Sequence, residues 1–126
     1  SGKTARQVGA MLEMAVGADG TGTAAQVYHY RVAGKTGTVR KLSGGSYSAD
    51  NYLALFAGFA PASDPRLVMI VMVDDPTGKA YYGGQIAAPV FGKVMSGALR
   101  LLNITPDDLE RSTQRMVQAG PVRGAL

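Results

Sequence analysis

The residues best suited to chemistry lie in one run, Val32 to Arg40, which reads Val-Ala-Gly-Lys-Thr-Gly-Thr-Val-Arg. It places one ammonium group, two hydroxyl groups and a glycine on a predicted strand. Because successive side chains of a strand point to opposite faces, Thr36 and Thr38 share one face and Lys35 takes the other. All three can touch one ligand only if it lies along the strand edge, as in peptide recognition by strand addition. The run therefore predicts a site for an anionic, peptide-like ligand.

Each residue of this run has a definable role. The two threonine hydroxyls can donate to a carboxylate and Lys35 adds positive potential, so a peptide with a free carboxylate fits best. The Thr38 amide can donate to a developing oxyanion, which is worth about 3 to 4 kcal/mol when pre-organised. Gly37 leaves room for a ligand backbone to approach closely. No Ser stands three positions before a Lys, so the nucleophile for such a site is missing and the chain is predicted to be part of a catalytic domain.

Three other interpretations compete for these letters. Gly34-Lys35-Thr36 matches the end of a phosphate-binding loop, but His29 occupies the position of the required earlier glycine and no helix is predicted to follow. Gly2-Lys3-Thr4 matches the same ending, but the sequence starts too close to it to show the earlier glycine, so this interpretation stays open. Gly20 to Ala25 fits the dinucleotide-binding fingerprint in letters, yet it follows a helix and precedes a strand, so it is rejected. The third is a solvated strand end, which four letters alone would favour.

Composition narrows the functional classes. With 126 residues, 46% of them hydrophobic, the chain can bury a core as one compact unit. The net charge of +4 comes from scattered basic residues, which does not indicate a nucleic-acid partner. Zero cysteines and a single histidine exclude a disulfide framework and a metal centre of the usual kinds, and no cofactor is predicted. The longest apolar run, Leu67 to Val73, is far below the roughly 20 residues that cross a bilayer.

The predicted elements are a helix, three strands and a second helix. Thr4 and Gln7 resemble a capping box, and Gly17 can end the first helix in a left-handed conformation. The helix is predicted over residues 4–16, and the strands are predicted over 28–38, 52–60 and 66–73, with a polar loop over 43–51. A helical stripe follows, formed by Ile86, Val90, Phe91, Val94, Ala98, Leu99 and Leu102.

The connections between strands are short, which favours an antiparallel meander. The second and third strands are apolar on both faces, so both faces of the sheet need cover. The last helix is expected to cover one face, with the first helix adding to the same layer, and residues outside this chain are expected to cover the other. The tail beyond Asn103 is predicted to be weakly held. The fold class is thus α/β (α+β), an antiparallel sheet covered by helices.

Three runs in order carry a resemblance to a known family: Ala33 to Thr38, Phe56 to Pro61, and Tyr82-Gly83-Gly84 through Ala88 to Phe91. Together they resemble the end of class B penicillin-binding proteins, most closely the division-specific D,D-transpeptidases of the penicillin-binding protein 3 type. The resemblance implies the fold shared by serine β-lactamases and transpeptidases, present as a C-terminal part. Residues 1–103 would form this segment and residues 104–126 a weakly structured tail. The family's Ser-x-x-Lys and Ser-x-Asn boxes are not found.

The resemblance also implies roles for single residues. Lys35 would hold the hydroxyl of the absent Ser-x-Asn box, and Thr36 and Thr38 would bind the carboxylate of a stem peptide or a β-lactam, beside Gly37. The Thr38 amide would form half of the oxyanion hole. An aromatic wall beside the ligand is implied for Tyr52, Tyr81 and Tyr82, with ordinary packing as the alternative reading. A polar contact to the ligand is implied for Arg40, although the default reading of Arg40 is a surface arginine.

The function implied is that of a serine D,D-transpeptidase that cross-links peptidoglycan at the septum and is a target of β-lactams, with this segment inert by itself. A β-lactam sensor domain and a serine β-lactamase share the strand and remain alternatives. The implied partners are the remainder of the transpeptidase domain, the peptidoglycan stem peptide, β-lactams and cell-division proteins. The implied location is the periplasmic face of the inner membrane.

Overall fold

The computed structural model describes residues 1–77 and 80–110, which form two helices and a three-stranded antiparallel sheet. The sheet order is β1-β2-β3, which confirms the predicted meander and the α/β class. The elements in chain order are α1 (Gly2–Val16), a short 3₁₀ turn (Thr23–Ala25), β1 (Ala33–Ser43), β2 (Ser46–Ala60), β3 (Leu67–Asp74) and α2 (Gly83–Leu101).

Helix α1 begins and ends differently from the prediction. Its N-cap is Ser1, whose Oγ accepts a hydrogen bond from the Thr4 backbone N–H at 3.3 Å, so the capping box assigned to Thr4 and Gln7 was wrong. A serine three positions earlier offers the same acceptor chemistry, and it takes the cap. Gly17 follows the helix in an extended conformation with φ of −63°, and not in the predicted left-handed one.

The hairpin that joins β1 and β2 replaces a predicted loop. β1 starts five residues later than predicted and runs on to Ser43, and the supposed loop 43–51 is mostly strand. Only Gly44 and Gly45 form the turn, with φ of 60° and 86°. Two glycines tolerate positive φ and allow a tight hairpin, so the polar residues on either side stay in the ladder.

One face of the sheet is closed by α2. The rings of Phe56 and Phe91 meet with centroids 4.7 Å apart, and Met95 and Leu99 complete the buried side of the helix. The predicted stripe was right for Phe91 and Leu99. The prediction was wrong for Val90, Val94 and Leu102, because these residues are exposed. Small residues at Ala87, Ala88 and Gly92 let the helix backbone approach closely, which sets a different buried side.

The opposite face is only partly covered by this chain. Gly9 of α1 lies near the ring of Phe59, so α1 covers part of this second face and contributes only Val16 to the core beneath α2. The expectation that α1 adds to the same layer as α2 was therefore wrong for most of its length. At β3 the second face is open: Val68, Ile70 and Met72 are 77%, 68% and 64% exposed. We call this surface the open face and the α2 side the closed face.

Glycine at the start of the motif strand has a packing cause. Gly34 is buried on the closed face, and a Cβ atom there would lie 2.5 Å from Cζ of Phe56 and 2.8 Å from the carbonyl oxygen of Ala57. Any side chain at this position would therefore push the Phe56 ring away from Phe91. The glycine before Lys35 keeps the aromatic core closed directly beneath the motif.

Residues after α2 return to the body of the domain. The Tyr30 hydroxyl donates to the Ile104 carbonyl at 2.6 Å, and the Asp108 N–H donates to the His29 carbonyl at 3.0 Å. The Asp107 carboxylate accepts from the Arg31 N–H at 2.7 Å and from the hydroxyl of Ser63 at 2.7 Å. The predicted tail boundary at residue 104 stays a prediction, because residues 111–126 lie outside the described residues.

Candidate active site

The motif strand keeps one free edge. In the order β1-β2-β3, β1 pairs with a single strand of the described residues, with Lys35 opposite Ala57 and Thr38 opposite Ala54. Residues 35 to 38 are not covered by another strand there. An extended peptide can add to such an edge through main-chain hydrogen bonds.

The strand alternates as its pleat requires. Thr36 pairs with Phe56 and Thr38 with Ala54, which are buried residues of the closed face, so both threonines lie on the α2 side. Lys35 lies on the other side and is exposed. Its Nζ donates to the Thr36 carbonyl at 3.0 Å, with the Thr36 Oγ1 at 3.4 Å. The cation thus reaches around the edge of the strand to Thr36, which shares its face with Thr38.

Each threonine hydroxyl has a partner outside the motif. Thr36 Oγ1 lies 2.9 Å from Thr21 Oγ1, in the loop after α1. Thr38 Oγ1 accepts from the backbone N–H of Gly83 at 3.1 Å, at the first residue of α2. The loop and the start of α2 therefore flank the two hydroxyls.

A cavity of about 420 Å³ opens beside these hydroxyls. Its walls come from the loop after α1, the motif strand and the start of α2. The lining residues are Thr21, Thr23, Ala24, Thr36, Thr38, Tyr82, Gly83, Gly84 and Gln85. No acidic residue occurs in the first turn of α2, and the positive end of the helix dipole faces this space. The cavity suits a negatively charged group.

Gly37 meets a neighbour that the sequence did not reveal. A Cβ atom at Gly37 would lie 3.3 Å from Cβ of Leu55, and Gly83 packs directly onto the backbone of Gly37. A side chain at Gly37 would therefore contact Leu55 of this chain. The ligand-approach role assigned to Gly37 stays a prediction.

The predicted aromatic residues come together at one end of the motif strand. The rings of Tyr52 and Tyr81 stack with centroids 4.3 Å apart, and Tyr81 contacts Tyr82 at the same centroid distance. The Tyr81 hydroxyl donates to the Tyr82 hydroxyl at 3.0 Å, and this bond is the main reason that the pKa of Tyr81 is raised. The guanidinium of Arg40 lies 5.8 Å from the Tyr52 ring centre, within cation–π range.

An ion-pair cluster joins Lys41 of β1 to Asp74 and Asp75, at the end of β3. Lys41 Nζ lies 2.8 Å from a carboxylate oxygen of Asp74 and 2.8 Å from one of Asp75. The hydrogen bonds that Lys41 donates to Asp74 and then to Asp75 raise the pKa of Lys41, and the hydrogen bond from Lys41 lowers the pKa of Asp75. Asp75 has a φ of 47°, and its N–H donates to the Tyr52 carbonyl at 2.9 Å. The chain therefore leaves β3 in a fixed direction.

Two groups of the site were not assigned from the sequence. Thr21 lies in the stretch Gly20 to Ala25, for which only a dinucleotide-binding fingerprint was considered and rejected, and Gly83 entered only through the resemblance. The available signal was the pair of hydroxyl residues among glycines, Thr21 and Thr23. Among residues 1–77 and 80–110 no cluster of three or more His, Asp or Glu side chains could hold a metal ion. None of the helices in these ranges is long and apolar enough to span a bilayer.

Comparison with known proteins identifies the class. Residues 1–96 match the family described as penicillin binding protein transpeptidase domain. The chain therefore belongs to this family, as the resemblance implied, and its fold is that of a penicillin-binding protein transpeptidase domain.

Relatives and a solved structure agree with this. The chain is 49% identical over 108 residues to the probable peptidoglycan D,D-transpeptidase PbpC of Pseudomonas aeruginosa, covering 86% of this chain and 19% of that protein. It is 44% identical over 104 residues to the peptidoglycan D,D-transpeptidase FtsI of Escherichia coli, covering 82% and 18%. The transpeptidase domain of penicillin-binding protein 3 from Burkholderia pseudomallei superposes with a TM-score of 0.77 at 45% identity, covering 85% of this chain and 32% of that one. The chain thus spans less than a fifth of these two curated relatives.

Proposed function

We propose that this chain is the C-terminal part of a serine peptidoglycan D,D-transpeptidase and supplies its Lys-Thr-Gly-Thr strand but not its nucleophile. The observation that carries the proposal is the free edge of β1, where Thr36 and Thr38 line a cavity of about 420 Å³ and the Lys35 ammonium contacts Thr36 from the other side of the strand. The named transpeptidases among its relatives support the reaction class.

The residues take the following roles in this proposal. Thr36 and Thr38 donate to the terminal carboxylate of a stem peptide or to the acid group of a β-lactam. The Thr38 amide donates to the oxyanion of the tetrahedral intermediate, in which the nucleophile has added to the carbonyl carbon. Lys35 supplies positive field and orients a hydroxyl from the remainder of the domain. Arg40 and the three tyrosines, Tyr52, Tyr81 and Tyr82, contact the ligand beyond its acid group, next to Gly37.

The open face supports the need for a partner segment. Val68, Ile70 and Met72 present apolar side chains to solvent at 64% exposure or more, although each alternates with a residue packed against the core. Large exposed apolar patches mark surfaces that bind other protein. In the proposal the rest of the transpeptidase domain, which carries the nucleophile, covers this face.

Labelled penicillin tests whether the nucleophile lies outside this chain. This chain alone should stay unlabelled, because it holds no Ser-x-x-Lys nucleophile. The complete domain, made from the full gene or by placing residues 1–110 in the Burkholderia domain, should be acylated and should release the drug slowly. Labelling of the isolated chain would refute the missing nucleophile, and rapid release would indicate a β-lactamase.

Replacement of Thr38 tests its role within the complete domain. Thr38→Val removes the hydroxyl while keeping the shape, and should slow acylation about 10- to 100-fold, the effect of one lost hydrogen bond to a charged group. Thr38→Ser retains the hydroxyl and is the matched control. Equal rates for Val and Ser variants would contradict the assigned role.

The cellular setting is a further part of the proposal. We place the parent protein at the periplasmic face of the inner membrane, in septal wall synthesis with cell-division proteins as partners and no nucleic acid. The likeness to peptidoglycan D,D-transpeptidases supports the part of this placement that concerns cell-wall synthesis. A fluorescent fusion of the full protein should concentrate at division sites, and an even distribution around the cell would count against the septal role.

A further inference from the structure

Three hydroxyl groups and one backbone N–H converge on the cavity beside the motif. Thr21 Oγ1 lies 2.9 Å from Thr36 Oγ1, and the Gly83 N–H donates to Thr38 Oγ1 at 3.1 Å. All four residues line the same cavity of about 420 Å³. Both motif hydroxyls thus have hydrogen-bond partners within the chain.

These bonds restrict the direction of the hydroxyl protons. A threonine hydroxyl offers one proton and two acceptor lone pairs, and a carboxylate can only accept. The Gly83 N–H occupies an acceptor position of Thr38 Oγ1, so the Thr38 proton must point elsewhere. Thr36 Oγ1 has the cation of Lys35 at 3.4 Å, and when Thr21 donates to it the Thr36 proton is also free for a ligand.

The flanking elements cannot drift away from these positions. A Cβ atom at Gly83 would overlap the carbonyl oxygens of Leu55 and Gly37, and one at Gly84 would overlap the carbonyl oxygen of Thr21. The start of α2 is therefore pressed against the motif strand and against the loop at the same time. Close packing of this kind keeps donor and acceptor distances fixed, which pre-organises a site before its ligand arrives.

Thr21 is not needed to hold its own loop. Thr23 Oγ1 donates to the carbonyls of Gly17 at 2.9 Å and Gly20 at 2.8 Å, and the Gly22 N–H donates to the Ala15 carbonyl at 2.9 Å. The Thr21 side chain is exposed, and its described hydrogen bond goes to Thr36. Its hydroxyl can therefore be removed with the loop still held by these other bonds.

We propose that Thr21 is a positioning residue for recognition of the ligand's acid group and that it acts through Thr36, as the Gly83 N–H acts through Thr38. Both set the motif hydroxyls as donors toward a carboxylate. This inference rests on the proposed function, because the carboxylate belongs to the peptide or β-lactam assigned there. It adds a specificity determinant outside the Lys-Thr-Gly-Thr strand.

The test compares two probes on the complete transpeptidase domain: benzylpenicillin, which carries the carboxylate, and its methyl ester, which does not. Thr21→Val should lower the second-order acylation rate with the acid about five- to ten-fold, the effect of a weakened hydrogen bond to a charged group, and leave the ester rate nearly unchanged. Thr21→Ser keeps the hydroxyl and should retain the wild-type ratio of acid to ester rates.

Three outcomes decide the inference. Equal loss with both probes would assign Thr21 a structural role, and no loss with either would remove it from recognition altogether. Because Thr21 is argued to act through Thr36, adding Thr21→Val to a Thr36→Val variant should change the acid rate little further, whereas an independent loss would refute the coupling. Absence of acylation in the wild-type domain would instead overturn the proposed function itself.

Discussion

The two faces of the sheet are built from similar apolar residues on β3 but differ in how far this chain buries them. On β3, Leu67, Met69 and Val71 pack against the core beneath α2, while Val68, Ile70 and Met72 alternate with them and are exposed. Residue type therefore predicts that both faces can be buried, but it does not predict which face is buried by this chain itself. That choice depends on α2, whose Phe91 meets Phe56.

The faces are also stabilised by different interactions. The closed face relies on apolar burial and close packing, which are sensitive to the loss or gain of single carbon atoms. The end of the open face carries the ion pairs of Lys41 with Asp74 and Asp75, which are exposed to solvent and screened by salt. Substitutions on the closed face should therefore cost far more than those on the open face.

The largest effect is expected from Phe91→Ala on the closed face. Removing a fully buried ring that packs on Phe56 should lower the free energy of unfolding by about 3 to 5 kcal/mol, measured by urea denaturation. Val94→Ala, on the exposed side of the same helix, is the control and should stay within about 0.5 kcal/mol. Similar losses for both would mean that α2 does not pack as described.

A smaller effect is expected when a methyl group is added beneath the motif. Gly34→Ala places a Cβ atom 2.5 Å from Cζ of Phe56, and overpacking of this kind should cost about 1 to 3 kcal/mol in thermal or urea unfolding. Gly37→Ala meets only Leu55 side-chain atoms at 3.3 Å and beyond, so its stability loss should be clearly smaller. A reversed order would contradict the described packing of β1.

Adjacent residues of β3 allow the sharpest test of the two faces. Val71→Thr puts a hydroxyl against the core and should destabilise by about 1 to 2 kcal/mol, whereas Ile70→Thr should change this chain by less than about 0.5 kcal/mol. In the complete domain we expect Ile70→Thr to become as costly as Val71→Thr. If Ile70→Thr stays neutral there, the open face is not where the rest of the domain packs.

The smallest effect is expected from Lys41→Met at the end of the open face. The lowered pKa of Asp75 contributes stability that is present above its unfolded-state pKa and lost as pH falls through the lowered value. The raised pKa of Lys41 contributes stability below its unfolded-state pKa that is lost as pH rises through the raised value. The variant should return the Asp75 pKa upward in an NMR titration, and an unchanged Asp75 pKa would show that the pair does not form.

The sequence predicted the order and type of elements well because periodicity and connection length are local properties. It misplaced ends where a competing partner was available, as at Ser1, which took the cap from Thr4. The loop predicted over residues 43–51 was wrong because polar residues occupy an exposed hairpin, and composition does not separate a loop from a solvated strand. The buried side of α2 was shifted because close backbone packing at Gly92 cannot be read from hydrophobicity.

The candidate site could be predicted where chemistry and strand alternation coincide. Lys35, Thr36 and Thr38 were placed on the correct faces of an edge strand by the pleat alone. The aromatic residues Tyr52, Tyr81 and Tyr82 came only from the resemblance, since their proximity depends on how the chain returns after β3. Thr21 and Gly83 were missed because their contacts with the motif threonines join segments distant in sequence.

The glycine pair at the start of α2 has a consequence for how this architecture can vary. Because Gly83 and Gly84 touch neighbouring backbone directly, the register of the helix against the motif strand does not depend on which side chains surround them. The connection between Asp75 and Tyr82 can therefore change in length or composition while the start of α2 stays packed at the same position. Diversity in this connection would alter the surroundings of the cavity and leave the hydroxyls of Thr36 and Thr38 undisturbed.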